Sequence, residues 1–330
     1  MKEDNKAIKN VLDTIKKKFG KESIVGELVE VERISSSCIS LDLALGGGYP
    51  TGRVIEIRGW ESSGKTTVAL HLAAEIQKAG KRVGYVDTEH ALDLFYASNL
   101  GVDVDITADD PQFVLSQPDS GEEAMGIARE MAVSGEFGLI VLDSVAGLVP
   151  KALIQGEVGD QKMGVIARLM SQWIPALVAP ASNSGTIICF ISQYREKIGV
   201  MFGNPTTTTG GHALKFYSSQ IIEVARIGQN KDGDKVLSNK TRVKVLKNKV
   251  AVPFKQAEFD IVFGEGIDYT ADVLDIATEL EIVKKSGSWY SYIDTKLGQG
   301  RAGVIDLLKD NPELYEEIEG KVKNELGLKS

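Results

Sequence analysis

The chain has 330 residues, of which 43% are apolar and 25% are charged. This composition is typical of a globular protein with one large core and room for a small additional domain. Lys and Arg number 38 against 46 Asp and Glu, so the net charge is −8 and any nucleic-acid site must be local. No stretch approaches the roughly 18 apolar residues of a membrane span, and the polar N-terminus contains no apolar leader. We therefore expect a cytoplasmic protein with no membrane partner.

The two cysteines indicate a reducing compartment. Cys38 and Cys189 lie far apart without C-x-x-C spacing, and Cys189 falls in an apolar stretch typical of a strand. Both are predicted to be buried thiols. The three histidines show no ligand spacing, and we expect no zinc site.

The N-terminal segment predicts a Lys-rich helix that ends near Gly20. Apolar residues recur there at steps of three and four: Ile8, Val11, Leu12, Ile15 and Phe19. This stripe either packs on the chain's own core or docks on a neighbour. The next segment, residues 23–39, is interpreted as an arm or linker.

From Arg53 the chain follows an alternating βα pattern. Residues 54–57 form a predicted strand, 59–67 a glycine-rich loop and 68–79 a helix. Further strands are predicted at 83–86, 138–142 and 186–191, with helices at 121–132 and 166–178, and antiparallel strands at 241–250 and 257–262. The pattern favours an α/β fold with a mostly parallel central sheet. We divide the chain into an N-terminal arm (1–30), a core (31–266) and a small α+β C-terminal domain (267–330).

The glycine-rich loop fits the phosphate-binding motif G-x-x-x-x-G-K-[ST], with a strand before it and a helix after it. Its residues are Gly59, Trp60, Glu61, Ser62, Ser63, Gly64, Lys65 and Thr66. The motif predicts ATP or GTP binding, with Lys65 on the β and γ oxygens and the Thr66 hydroxyl on Mg²⁺. Thr67 is expected to support Thr66.

Two carboxylates follow predicted strands. Asp143 ends the run LIVLD and is either the magnesium-side acid or an ordinary turn residue, and the P-loop favours the acid. Glu89 follows the strand ending in Val86 and is either the base that orients the attacking water or a solvated loop acid.

Longer strings containing these motifs resemble the bacterial RecA family of recombinases. They read ESSGKTT (61–67), EHALD (89–93), SQPDSGE (116–122), KIGVMFGNPTTTTGG (197–211), KNK (247–249) and PFKQAEF (253–259). The resemblance covers nearly the whole chain. It implies a RecA-type P-loop ATPase core using ATP and Mg²⁺, an N-terminal helix-strand arm that docks on the next protomer, and a C-terminal domain that receives duplex DNA.

The resemblance also implies two DNA loops, at about 155–163 and 193–209. The implied DNA-binding residues are Met163, Arg168, Arg195, Lys197, Gly199, Phe202, Thr209, Gly210 and Gly211. Gln193, at the root of the second loop, would sense the γ-phosphate. From the residues alone, the second loop either contacts a nucleic-acid backbone or is a disordered Gly/Thr surface loop.

Further roles come from the same resemblance. Lys247 and Lys249 would reach the neighbouring protomer's ATP, although the residues alone indicate exposed strand-edge lysines. Asp93 and Tyr96 would contact adenine, and Tyr96 is otherwise a core residue. Phe216 and the arm residue Ile24 would lie at protomer interfaces.

The sequence departs from the family pattern at six positions: Trp60, Thr88, Ser192, Tyr194, Thr206 and His212. Four of them surround the second loop, which puts the coupling of ATP to DNA in question rather than the chemistry. A basic patch near Trp289, comprising Lys284, Lys285 and Arg301, is either a duplex site or a solvated face.

The family implies a DNA-dependent ATPase that forms a helical filament on single-stranded DNA, pairs it with homologous duplex and exchanges strands. A co-protease role toward a LexA-type repressor, and loading or single-stranded-DNA-binding proteins as partners, would follow. The alternatives are a DNA-binding scaffold that hardly hydrolyses ATP, and a ring helicase or recombinase regulator on the same core.

Overall fold

The computed structural model describes residues 2–20, 23–24, 30–156, 164–196 and 206–328. The chain divides into two compact units, residues 1–32 and 33–330. The first contains helix α1 (Lys2–Phe19), with Lys16, Lys17 and Lys18 in its last turn. Gly20 ends the helix with a φ of 100°, a conformation that glycine adopts without strain. The predicted helix ending near Gly20 is confirmed.

The second unit alternates helices and strands. Its helices are α2 (Ile39–Leu45), α3 (Lys65–Lys78), α4 (Leu94–Asn99), α5 (Gly121–Ser134), α6 (Lys151–Ile154), α7 (Val165–Ser184), α8 (Ala213–Tyr217), α9 (Tyr269–Glu279), α10 (Arg301–Asp310) and α11 (Pro312–Glu325). Its strands are β1 (Arg33–Ile34), β2 (Tyr49–Pro50), β3 (Val54–Gly59), β4 (Arg82–Asp87), β5 (Phe113–Ser116), β6 (Phe137–Asp143), β7 (Ile187–Glu196), β8 (Thr206–Thr208), β9 (Gln220–Asp232), β10 (Lys235–Asn248), β11 (Gln256–Val262), β12 (Gly266–Ile267), β13 (Val283–Ser286), β14 (Trp289–Tyr292) and β15 (Thr295–Gln299).

One large sheet organises this unit. Its strand order is β12-β11-β10-β9-β3-β7-β6-β4-β5, with β8 paired to β7. The strands from β9 to β5 are parallel, and β10, β11 and β12 extend the sheet in antiparallel fashion. Parallel strands are buried on both faces, which explains the continuous apolar runs in β6 and β7. The predicted α/β fold with a mostly parallel sheet is confirmed.

Helices cover both faces of the sheet. On one face, α3 packs its buried Val68 and Leu72 against residues such as Ile55 and Ile57 of β3. On the other, α5 and α7 pack against β6 and β7, and Met170 belongs to that second cluster. Cys38 and Cys189 are buried and free, as predicted.

The interpretation of residues 34–39 as linker is wrong. Ile34 lies in strand β1, and Ile39 begins helix α2, which buries Leu41 and Leu45 in the core. The helical spacing of the apolar residues in α2 becomes visible only when Ile39 is considered together with the residues that follow it.

The C-terminal part is an α+β arrangement, as predicted. The antiparallel sheet β13-β14-β15 and helices α9, α10 and α11 share one apolar cluster. Arg301 forms ion pairs with Asp260 of β11 and Asp275 of α9, each at 2.6 Å. Its charge is therefore neutralised within the fold, which removes Arg301 from the basic patch considered near Trp289.

Within the described ranges, the helices are too short or too polar to cross a membrane.

Candidate nucleotide site and DNA loops

The phosphate-binding loop joins β3 to α3 as the motif predicts. A Cβ on Gly59 would lie 2.2 Å from the Val224 carbonyl oxygen, so only glycine allows this approach of the loop to β9. Gly64 has a φ of 99°, and Lys65 begins the helix directly after it. The amides of the first turn of α3 therefore face the loop, where a helix N-terminus favours anions.

Lys65 places a buried cation in the site. The residue is only 7% exposed, and its ammonium donates to the Trp60 carbonyl at 2.7 Å. Burial lowers the pKa of Lys65, while the charges of Asp143, Glu89 and Glu61 oppose that shift. A phosphate would supply the negative charge that this ammonium otherwise finds only in nearby carboxylates.

Asp143 ends β6 beside the first turn of α3. Its Oδ2 accepts hydrogen bonds from the Thr66 hydroxyl at 2.9 Å and the Tyr85 hydroxyl at 2.7 Å. Burial raises the pKa of Asp143, and the two hydroxyls oppose the shift. A buried carboxylate beside a hydroxyl is the kind of hard oxygen set that Mg²⁺ prefers, so Thr66 and Asp143 fit the predicted metal.

Glu89 and Gln193 meet although 104 positions separate them. The Gln193 amide donates to Glu89 Oε1 at 2.9 Å, and the Ser144 hydroxyl donates to the same oxygen. β7 carries Gln193 to this point, because its register against β3 sets Gln193 opposite Gly59. The predicted base and the predicted sensor are thus in direct contact.

Two cavities flank the phosphate-binding loop. One, of about 290 Å³, brings together Glu61, Ser62, Lys65, Thr66, Asp87, Glu89, Asp93, Tyr96, Asp143 and Gln193. The other, of about 370 Å³, is bordered by residues 62–67, Tyr96, Asn239 and residues 261–264. Most of the predicted nucleotide residues therefore line the first of these cavities, which is called the nucleotide cleft below.

Asp93 and Tyr96 lie at the start of α4. The Asp93 carboxylate caps the helix by accepting from the Tyr96 amide at 3.0 Å. The Tyr96 hydroxyl lies 2.9 Å from the Thr67 hydroxyl, which links α4 to the phosphate-binding helix.

Sequence reasoning missed Asn239 and Phe263, which border the second cavity. Phe263 is 52% exposed directly after β11. An apolar residue at the end of an antiparallel strand is the only sequence signal, and it does not show that the strand end returns to the phosphate-binding loop.

The roots of the two predicted DNA loops lie close together. Arg168 is exposed on the first turns of α7, and Arg195 is exposed near the end of β7. A Cβ on Gly211 would lie 2.8 Å from the Ala167 side chain, so this glycine packs beside the helix that carries Arg168. Gly210 and Thr209 precede it, after β8. Met163, Lys197, Gly199 and Phe202 lie outside the described residues.

Lys247 and Lys249 are not among the described residues that line the two nucleotide cavities. Lys247 Nζ donates to the carbonyls of Lys215 and Phe216, and Lys249 Nζ donates to the Phe216 carbonyl at 3.0 Å. Burial, with the adjacent Lys249, lowers the pKa of Lys247. Phe216 itself is 68% exposed, so two cations and a protruding ring share one surface. Ile24 belongs to the first unit, and its interface role stays a prediction.

The loop, the strand-borne acids and the mostly parallel sheet define a P-loop nucleotide-binding protein. The chain belongs to the RecA family: residues 6–268 match the RecA N-terminal domain and residues 271–327 match the RecA C-terminal domain. This confirms the predicted family and places the chain in DNA recombination and repair.

Relatives match along nearly the whole chain. Protein RecA of Halalkalibacterium halodurans is 54% identical over 99% of this chain and 94% of that protein. Protein RecA of Bacteroides thetaiotaomicron is 54% identical over 98% of each chain, and that of Clostridium tetani is 53% identical over 99% and 93%. The solved structure of the RadB recombinase has a TM-score of 0.52 and 23% identity, and covers 71% of this chain and 98% of its own. That likeness shows the fold alone, and with the family match it confirms the RecA-type core.

Proposed function

We propose that this chain is an ATP-driven recombinase. It polymerises as a helical filament on single-stranded DNA, pairs that strand with homologous duplex and exchanges strands while hydrolysing ATP to ADP and phosphate. The observation that carries the proposal is the hydrogen bond between Glu89 and Gln193, which joins the nucleotide cleft to the root of the second DNA loop.

The chemistry follows from the side chains in the cleft. Thr66 and Asp143 would hold Mg²⁺, which neutralises phosphate charge when it is bound. Lys65 binds the β and γ phosphates as a point charge. Glu89 orients and polarises the attacking water, and the Ser144 hydroxyl fixes its carboxylate.

Nucleotide state would control DNA affinity through Gln193. A γ-phosphate near Glu89 competes for the Gln193 amide, and a change in Gln193 moves the strand that leads into the second loop. The exposed Arg168 and Arg195 and the glycines at the loop root suit contact with the DNA backbone rather than base reading.

Assembly would use the surface formed by Phe216, Lys247 and Lys249. The two lysines lie at a protruding aromatic residue, which suits cations that reach a neighbouring protomer's phosphates. The exposed α1 residues Ile8 and Val11 suit docking on an unlike surface of the next protomer. A heterologous contact of this kind propagates as an open helix unless it closes.

The remaining partners follow from the family. The C-terminal domain would receive duplex DNA, and exposed Lys284, Lys285 and Lys296 near Trp289 supply local positive charge. A cytoplasmic location, a LexA-type repressor and loading or single-stranded-DNA-binding proteins complete the proposal.

The first experiment measures ATP hydrolysis with and without single-stranded DNA. Glu89→Gln should retain ATP binding and lose hydrolysis by at least about a hundredfold, the usual contribution of a positioned base. Glu136→Gln, which changes an exposed carboxylate away from the cleft, is the matched control and should resemble the unaltered protein.

Strong stimulation of ATP hydrolysis by single-stranded DNA, present in the unaltered protein and in Glu136→Gln but lost in Glu89→Gln, supports the proposed enzyme. If the unaltered protein binds both ATP and DNA without stimulated hydrolysis, the enzyme proposal fails and the scaffold alternative takes its place.

A further inference from the structure

Tyr194 makes a second connection between the phosphate-binding loop and the second DNA loop. β3 and β7 run parallel with Gly59 opposite Gln193, so Trp60 and Tyr194 come next to each other just beyond that pair. Their ring centroids lie 5.8 Å apart at an interplanar angle of 60°. This distance and tilt are typical of a favourable aromatic pair.

The Trp60 end of this contact belongs to the phosphate-binding machinery. The Trp60 carbonyl accepts the Lys65 ammonium at 2.7 Å. Phosphate oxygens are the alternative acceptor for that ammonium, so nucleotide binding changes what holds Trp60 in place. Trp60 is 44% exposed, so its side chain has room to change position.

The Tyr194 end is fixed by two further groups. Its hydroxyl donates to Glu223 on β9 at 2.5 Å, and the Arg58 guanidinium lies 5.8 Å from its ring centroid. Burial, with the hydrogen bond to Glu223, raises the pKa of Tyr194, so the hydroxyl remains a donor throughout the physiological pH range. The ring therefore has a defined position relative to the sheet.

Tyr194 also belongs to the hairpin that frames the second loop. Here the loop-root hairpin denotes residues 193–196 of β7 and 206–208 of β8, where Tyr194 pairs with Thr208. A shift of Tyr194 therefore changes the pairing of β7 with β8 in this hairpin directly.

A cavity beside the ring provides room for such a shift. It measures about 360 Å³ and is bordered by Tyr194, the β8 threonines, Glu56 and Glu223. Within the described part of the chain, Glu56 Oε1 is buried without a hydrogen-bond partner, and it offers the cavity a second acceptor besides Glu223. Packed protein interiors switch between discrete arrangements rather than deforming continuously. The cavity, with acceptors on both Glu223 and Glu56, therefore permits a second arrangement of the Tyr194 side chain.

We propose that Tyr194 is a positioning residue that transmits the state of the phosphate-binding loop to the loop-root hairpin through its ring contact with Trp60. This connection runs in parallel with the Glu89–Gln193 hydrogen bond. It rests on the proposed function, because it concerns the coupling of ATP to DNA at that same site.

The test measures a coupling ratio. This is the half-saturating concentration of single-stranded DNA without nucleotide, divided by that with a non-hydrolysable ATP analogue. Tyr194→Leu removes the ring and should lower the ratio about fivefold, the size of one aromatic pair, while nucleotide affinity without DNA stays unchanged. Tyr194→Phe keeps the ring and should retain most of the ratio.

Tyr315→Leu is the matched control. It removes a half-buried tyrosine from the C-terminal cluster and should leave the ratio unchanged. A wild-type ratio in Tyr194→Leu, or an equal loss in Tyr194→Leu and Tyr194→Phe, would overturn transmission through the ring. A ratio of one in the unaltered protein would instead count against the proposed function itself.

Trp60 fluorescence provides a readout that a purely structural role would not move. With Trp173→Phe and Trp289→Phe, Trp60 is the remaining tryptophan. Its emission should change when the ATP analogue binds and change again when DNA is added. The DNA-dependent change should disappear in Tyr194→Leu, and its persistence there would contradict the proposal.

Discussion

At the scale of single residues, the structure explains why a short motif could predict so much of the nucleotide site. The P-loop pattern specifies Gly59, Lys65 and Thr66 through local backbone geometry, and the structure places them as the pattern requires. Glu89 and Gln193 meet only because two distant strands end at the same edge of the sheet. Glu89 was predicted as the base from its place after a strand, whereas the role of Gln193 came from the family resemblance. No local pattern predicts a contact over that separation.

Tyr85 is a residue whose contribution sequence patterns do not reveal. It is fully buried in β4, and its hydroxyl donates to the carboxylate of Asp143. Groups that orient a metal-binding carboxylate commonly change metal affinity by about tenfold or more.

Tyr85→Phe should therefore raise the Mg²⁺ concentration for half-maximal ATP hydrolysis about tenfold. Titrating Mg²⁺ at saturating ATP measures this. Tyr49→Phe, which alters a buried tyrosine with no hydrogen bond from its hydroxyl to the described residues, is the control. An unchanged Mg²⁺ requirement in Tyr85→Phe would show that Asp143 needs no such partner.

At the scale of elements, the long central strands were predictable because continuous apolar runs mark strands buried on both faces. Short elements such as α2, β1 and β12 were not predictable, because their stability comes from tertiary contacts rather than from local pattern.

The contact between α3 and β12 is an example of such a tertiary contact. His71 Nε2 accepts the Ile267 amide at 2.9 Å, while Nδ1 lies 2.9 Å from the Ser37 hydroxyl.

This arrangement requires neutral His71. Because Nε2 accepts a hydrogen bond, the single ring proton must lie on Nδ1. Burial lowers the pKa of His71 from 6.5 to about 4. The unfolded chain therefore binds an additional proton between those pH values, and the stability that neutral His71 contributes is present above pH 6.5 and lost as pH falls toward 4.

The loss amounts to about 3 kcal/mol across that window, from the size of the pKa difference. His71→Gln cannot titrate, so its free energy of unfolding should fall less than that of the unaltered protein between pH 7 and 4. Chemical denaturation at several pH values measures the difference. Parallel curves for the two proteins would mean that His71 does not control this dependence.

At the scale of the whole molecule, the chain's net negative charge means that the proposed DNA contacts must be local, at the predicted loops and at the C-terminal lysines. In the surface formed by Phe216, Lys247 and Lys249, the Phe216 side chain is exposed and all three residues lie outside the linings of the two candidate nucleotide cavities, which suits a site completed by a second protomer. A single chain's sequence cannot predict such an assembly from its residues alone, because the complementary surface belongs to another copy.

Strand exchange tests the proposed recombinase most directly. Purified protein is incubated with circular single-stranded DNA and linear duplex, which is either homologous or unrelated, and joint molecules are separated by gel electrophoresis. With ATP and Mg²⁺, joint molecules should form only with homologous duplex, and Lys65→Ala should form none. DNA-stimulated ATP hydrolysis without joint molecules on homologous duplex would contradict the recombinase function.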